Sequence, residues 1–226
     1  MKRPAPAQIV GVIFSRADLR RAVRMPNPPD VFELRLDALV DRLDEVKNAI
    51  EKLRRPFIMT ARHPREGGEN QLSLRERRAL LLQFLPYAAW VDIELRSARA
   101  LNAVWEEAGA HRLRRIISFH DFSGTPGRAR LDRIAGVGQS LGADVLKIAT
   151  RTDTPAQFER LLEFFASTSP HPLIAAMGLG RLGKKSRRKL ARSGSVLNYA
   201  HLGDRSLPGQ PSLRELRQWM VGHRDD

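Results

Sequence analysis

The chain has 226 residues, 42% of them apolar, which suits one domain or at most two and supplies enough apolar side chains for a core. It has no cysteine, which excludes disulfides, thiolate catalysis and cysteine-ligated metals, and it has no run of about 18 apolar residues, so no membrane-spanning helix is expected. The formal charge is +14, with 32 Arg and 7 Lys against 25 acidic residues, a balance that favours anionic ligands or reflects arginine on solvated faces.

The N-terminal MKRPAPAQIVGVIF holds a short apolar stretch without a signal-peptide cleavage pattern. It reads as the approach to a first strand, IVGVIF (9–14), and a cytoplasmic location is the natural expectation. VFELRLD (31–37) follows as a second strand. LDEVKNAIEKL (43–53) places Leu43, Val46, Ile50 and Leu53 on one helical face. PFIMTAR (56–62) reads as a third strand, followed by the helical LSLRERRALLLQFL (72–85), in which Ser73 and Glu76 have capping-box spacing. WVDIEL (90–95) and the helical ARALNAVWEEAG (98–109) come next, with Gly109 as the expected stop.

The second half repeats the alternation. Strands are expected at IISFHD (116–121), ADVLKIAT (143–150), PLIAAMG (172–178) and VLNYAHL (196–202). Helices are expected at 129–142, 154–166, 186–194 and 212–222, with Thr154 as N-cap and Pro155 as first helical residue. Eight such repeats suggest a single-domain (β/α)8 TIM barrel over residues 1–226. An open doubly wound sheet is the alternative, disfavoured because no GxGxxG follows the first strand and the GLGRLG run (178–183) lies late. The densest basic cluster, Arg181 to Arg192, has no interleaved aromatics and does not look like a stacking platform for single-stranded nucleic acid.

In such a barrel the chemistry sits at the C-terminal ends of the strands. There the sequence places Glu33, Arg35 and Asp37, then Arg62 and Glu66, then His120, then Lys147. Lys147 stands among residues of a buried strand, where an ammonium is expensive unless paired or deprotonated. A lysine that loses its proton easily can form a Schiff base with a carbonyl, and burial near arginines is expected to lower its pKa. His120 is the nearby candidate proton carrier. Snorkelling of Lys147 to the rim, and a salt-bridge role for Glu33, Arg35 and Asp37, are the structural alternatives. Asp92 and Glu94 read as structural supports.

The ordered motifs ELRLD (33–37), TARHPREGG (60–68), VDIEL (91–95), ISFHDFSGTP (117–126), ADVLKIA (143–149), SRRKLARSGS (186–195) and SLPGQ (206–210) span most of the chain. In that order they resemble the type I 3-dehydroquinate dehydratases. The resemblance implies an imine between Lys147 and the C3 ketone of 3-dehydroquinate. His120 would be general base and acid, and Glu66 its orienting partner. Arg187 would bind the substrate carboxylate, with the adjacent Arg188 as alternative. Glu33, Arg35, Arg62, Ser206 and Gln210 would bind ring hydroxyls or shape the pocket. The resemblance further implies a homodimer, no metal or organic cofactor, and no nucleic-acid or membrane partner. Another Schiff-base lyase such as an aldolase, or a basic nucleic-acid-binding protein, are the competing classes. The His120 context, Glu-Gly-Gly and SLPGQ favour dehydration, and binding by charge alone gives no reason to bury Lys147.

Overall fold

The computed structural model describes residues 6–168, 172–203 and 207–221. The strands are β1 (Gln8–Ile13), β2 (Val31–Arg35), β3 (Phe57–Thr60), β4 (Trp90–Glu94), β5 (Arg114–Asp121), β6 (Val145–Arg151), β7 (Leu173–Leu179) and β8 (Leu197–His201). They alternate with α1 (Arg16–Val23), α2 (Leu43–Lys52), α3 (Leu74–Phe84), α4 (Asn102–Ala110), α5 (Arg128–Ser140), α6 (Pro155–Ser167), α7 (Gly183–Arg192) and α8 (Leu213–Val221).

Sequential strands pair in parallel from β1 to β7, and β8 returns to pair with β1. The strand order never reverses, so the sheet is a nearly closed barrel and not a doubly wound sheet. The seam between β7 and β8 is joined differently. Val196 N–H donates to Ile174 O (3.1 Å), and Ser195 Oγ accepts from Ala176 N–H (3.1 Å). Arg187 on α7 straddles the same seam, donating to Gly178 O (2.9 Å) and Tyr199 O (3.4 Å).

The local signals explain most helix ends. Ser73 and Glu76 form the expected capping box on α3, and Thr154 and Gln157 form another on α6. α1 follows β1 with Ser15 as N-cap and Asp18 N–H as its donor, although its apolar face is too short to stand out in the sequence. Two expectations shift. α4 runs through Gly109 to Ala110, and Arg112 takes the left-handed conformation that the sequence suggested for Gly109. α7 begins at Gly183, three residues before the expected start, because the GLGRLG run forms its turn and first residue.

Barrel-facing side chains lie in levels set by the two-residue period of a strand. The lowest level is apolar, from Val10, Val31, Ile58, Trp90, Ile116 and Val145. Two residues further on, the same strands place Glu33, Thr60, Asp92, Ser118 and Lys147, all buried. Two further still, they reach Arg35, Arg62, Glu94 and His120. An apolar floor thus carries a polar middle level and an upper level that opens to the C-terminal face.

Arg77 of α3 pins this arrangement from outside the barrel. It is 2% exposed, and it donates to Ala61 O (2.8 Å), Ser97 Oγ (3.2 Å) and Glu94 Oε2. Removing one partner of a buried ion pair leaves the other charge without compensation. Arg77→Met is therefore expected to lower the unfolding free energy by about 3 kcal/mol, read from urea denaturation.

Candidate active site

A cavity of about 260 Å³ opens at the C-terminal face. Its walls include Lys147, His120, Glu66, Glu33, Arg35, Arg62, Arg187 and Gln210, eight residues expected from the sequence. Ser206 lies outside the described residues. Met177, Leu179, Ala149 and Phe14 supply apolar wall, with Phe122 and Leu207 exposed near the opening.

Glu66 reaches the cavity because the chain doubles back after β3. Pro64 starts a single 3-10 turn over Pro64–Glu66, and Gly67 ends it in the left-handed region at φ +81°. Gly68 has no room for a side chain, since a Cβ there would lie 2.2 Å from Arg62 O. The Glu-Gly-Gly run is thus a backbone device that turns the Glu66 carboxylate toward β5. Its Oε2 accepts from His120 N–H (3.1 Å) and lies 3.0 Å from His120 Nδ1, while Oε1 pairs with Arg96 Nε (2.9 Å).

Burial pushes the Glu66 carboxyl up to about 7, helped by Glu94 and opposed by Arg62, Arg96 and the His120 N–H. Burial, with Arg62 and Lys147 nearby, holds His120 well below the ordinary imidazole value. The ring is therefore neutral near pH 7. With Nδ1–H donated to an ionised Glu66, the other ring nitrogen is free to accept a proton.

Lys147 is buried near arginines, as expected, but its direct partners are carboxylates. Its Nζ donates to Glu33 Oε1 (3.1 Å) and Asp92 Oδ2 (3.0 Å), and it sits 4.0 Å from the centre of the Tyr199 ring. Two carboxylates thus lie within hydrogen-bond distance of its one nitrogen. Arg62 flanks it through Asp92, donating to Asp92 Oδ1 (3.1 Å) and Oδ2 (2.8 Å), to Ser118 Oγ (2.6 Å) and to Glu94 (3.3 Å). Burial works to raise the Asp92 carboxyl, but Arg62 and Lys147 outweigh it and hold the group far below the usual carboxylate range. Arg35 is bound to Asp37 (3.0 and 2.8 Å) and to Gly67 O (2.8 Å). At rest, then, Glu33, Arg35 and Arg62 hold the protein's own groups while bordering the cavity.

Arg187 is the exception. It is buried, burial alone lowers it to about 10, and among the described residues its donor bonds go to backbone carbonyls. Among the described residues no carboxylate pairs with it. Arg188 is exposed, so the two candidates are distinguished by burial and by the cavity wall. Opposite α7 the loop at 207–210 is held by Gly180 N–H to Pro208 O (3.2 Å) and Gln210 N–H to Leu207 O (2.8 Å). Gly209 (φ +86°) lies so close to Gly183 that a Cβ would sit 2.9 Å from its Cα. That contact keeps Gln210 at the cavity.

Three participants escaped the sequence reading. Asp92, read as a support, touches Nζ directly; its position two residues above Trp90 on the inward face of β4 was the available signal. Tyr199 looked like an ordinary strand residue. Arg96 belongs to the short turn after β4 and carried no pattern.

This pocket at the strand ends, with its buried lysine, carboxylate-bound histidine and buried arginine, marks the chain as a barrel enzyme for a small-molecule substrate. A family model described as Type I 3-dehydroquinase matches residues 15–221. The chain is 34% identical over 194 residues to a 3-dehydroquinate dehydratase of Methanothermobacter thermautotrophicus, covering 85% of this chain and 84% of that one. It is 30% identical over 193 residues to the Thermodesulfovibrio yellowstonii 3-dehydroquinate dehydratase, at 83% and 82% coverage. The type I 3-dehydroquinate dehydratase of Clostridium difficile, solved with covalently modified comenic acid, superposes with a TM-score of 0.85 at 25% identity, covering 98% of this chain and 94% of that one. The chain belongs to the type I 3-dehydroquinase family and is a hydro-lyase.

The raised Glu66 carboxyl has a measurable consequence for stability. A carboxyl whose folded pKa exceeds its ordinary 4.5 favours the folded state when protonated, and that contribution is lost as pH rises from about 4.5 to 7. Glu66→Gln, which keeps the shape without the charge, is expected to raise the unfolding free energy by about 2 kcal/mol at pH 8 and by little at pH 4. Urea denaturation at the two pH values checks the sign.

Proposed function

We propose that this enzyme dehydrates 3-dehydroquinate to 3-dehydroshikimate through an imine on Lys147, within the shikimate route to chorismate and the aromatic amino acids. The observation that carries the reading is one cavity bordered by a buried lysine, a glutamate-bound histidine and a buried guanidinium that no carboxylate among the described residues pairs. Membership of the family and the names of the relatives support the substrate.

Arg187 receives the substrate carboxylate, the anion its site lacks. The Lys147 ammonium gives a proton to one of its carboxylate neighbours, and the amine attacks the C3 ketone. The carbinolamine hydroxyl takes that proton back from the carboxylate and leaves as water, giving a protonated imine. That cation draws electrons from the C2–H bond, and His120 takes the proton, giving an enamine. The enamine electrons then expel the C1 hydroxyl, which departs as water with the proton from His120. Hydrolysis of the conjugated imine releases the enone and restores the lysine. Glu66 stabilises the transient imidazolium, and the 207–210 loop with Phe122 limits the access of water. In this scheme Glu33 and Asp92 favour a cationic nitrogen at rest and again in the imine.

Two measurements test the scheme. The enzyme is expected to generate conjugated-enone absorbance from 3-dehydroquinate, and Lys147→Ala to lose at least about 10⁴ of that rate. Borohydride added with substrate or product is expected to attach the reduced adduct to the peptide containing Lys147. An unmodified peptide under turnover would rule out the imine.

A further inference from the structure

Exposed ion pairs contribute little because water and salt screen them. The pair between Arg96 and Glu66 differs because its two halves are unequal. The arginine side chain is 43% exposed, whereas the glutamate side chain is 2% exposed and carries His120 on its other oxygen. Arg96 is also delivered by a fixed backbone. The residue before it, Leu95, follows Glu94, which accepts from Arg62, from His63 N–H (2.8 Å) and from Arg77. The residue after it, Ser97, accepts twice from Arg77 (3.2 Å). The turn cannot drift without breaking buried bonds.

We propose that Arg96 is a positioning residue for the dehydration, holding Glu66 ionised and turned so that its far oxygen fixes His120 in the tautomer that works as a base. The inference rests on the function proposed above and goes beyond it, since Arg96 does not border the cavity.

The groups around Glu66 leave this role to Arg96. Arg62 arrives from the end of β3, but its donor bonds go to Asp92, Glu94 and Ser118. Arg35 from β2 is spent on Asp37 and Gly67 O. Glu94 from β4 repels the carboxylate, and His63 and Arg65 belong to the turn that carries it. His120 from β5 supplies a backbone N–H and its ring. Among the described residues Arg96 is the one arginine or lysine within ion-pair distance of Glu66. Without it, burial and Glu94 would favour the protonated acid. A protonated Glu66 would donate to Nδ1 and push the ring proton to the other nitrogen, where it blocks base action.

The test compares Arg96→Gln and Arg96→Lys with the parent in three readouts. Removing the cation raises the Glu66 pKa, so the limb on which kcat rises with pH is expected to move up by about one unit in Arg96→Gln. At pH 7 kcat should fall about fivefold, the loss should shrink above pH 8.5, and KM should change by less than about twofold. Arg96→Lys should recover most of the loss. Added salt should move the parent limb upward and leave that of Arg96→Gln in place. Borohydride labelling of Lys147 by product should be unchanged in both variants. Nitrogen-resolved NMR titration of the His120 ring should show the same upward shift without any turnover. A parent inactive on 3-dehydroquinate would count against the proposed function, while the NMR titration would still decide the role of Arg96. A titration and a rate profile that superpose on the parent, or a loss equal at every pH, would overturn it.

Discussion

Charge compensation inside the barrel is the constraint on which the rest depends. Lys147, Arg62 and Arg77 face Glu33, Asp92 and Glu94 in one connected cluster, three cations against three anions. None of these groups would be stable alone at that depth, where an unpaired charge is strongly penalised. Each is acceptable because the others fix both its partner and its geometry. The backbone follows from this: Arg77 must enter from α3, the turn after β4 must bring Ser97 back to it, and Thr60 and Ser118 must be small and polar to complete the hydrogen bonds.

The same balance shapes the proposed chemistry. A proton passed from Lys147 to a neighbouring carboxylate leaves the net charge of this cluster unchanged but removes an ion pair from it. Any step that restores a cation at Nζ is then favoured, and the protonated imine does so on the same atom. The Tyr199 face, 4.0 Å away, adds to that preference. Arg187 stands outside this cluster. Its guanidinium faces the same cavity and, in the proposed scheme, gives the substrate a fixed end, so that binding at one side can orient the ketone at the other.

Much of this was legible in the sequence because strand alternation is strict. Reading every second residue of FELRLD, TAR, VDIE, SFHD and VLKIA gives the middle and upper levels of the barrel directly. Lys147 and His120 stood out for being costly where they are. What failed to show were relations across strands. Asp92 and Lys147 are 55 residues apart and meet because Ser118, between them, keeps the two strands in register. Arg96 was hidden for another reason: a solvent-facing arginine in an arginine-rich chain carries no periodic signal, and only the burial of its partner gives it meaning. The helix after β1 was missed because eight residues with so little apolar face resemble a loop until the barrel buries Leu19 and Ala22.

Two buried carboxylates of the site are shifted in opposite directions, and the difference lies in what their partners can spare. Asp92 receives both arms of Arg62 and the Lys147 ammonium, so it stays charged under any ordinary condition. Glu66 receives one exposed arginine, one backbone N–H and a neutral ring, so burial nearly wins and its carboxyl rises to about 7. A carboxylate as firmly held as Asp92 would support an imidazole ring but could not respond to its change of charge. In the proposed scheme, one poised near neutrality would strengthen its hold as His120 becomes a cation and relax when the proton leaves. The loosely compensated Glu66 is therefore suited to the step in which a proton moves, and the tightly compensated Asp92 to the step in which a cation must be kept.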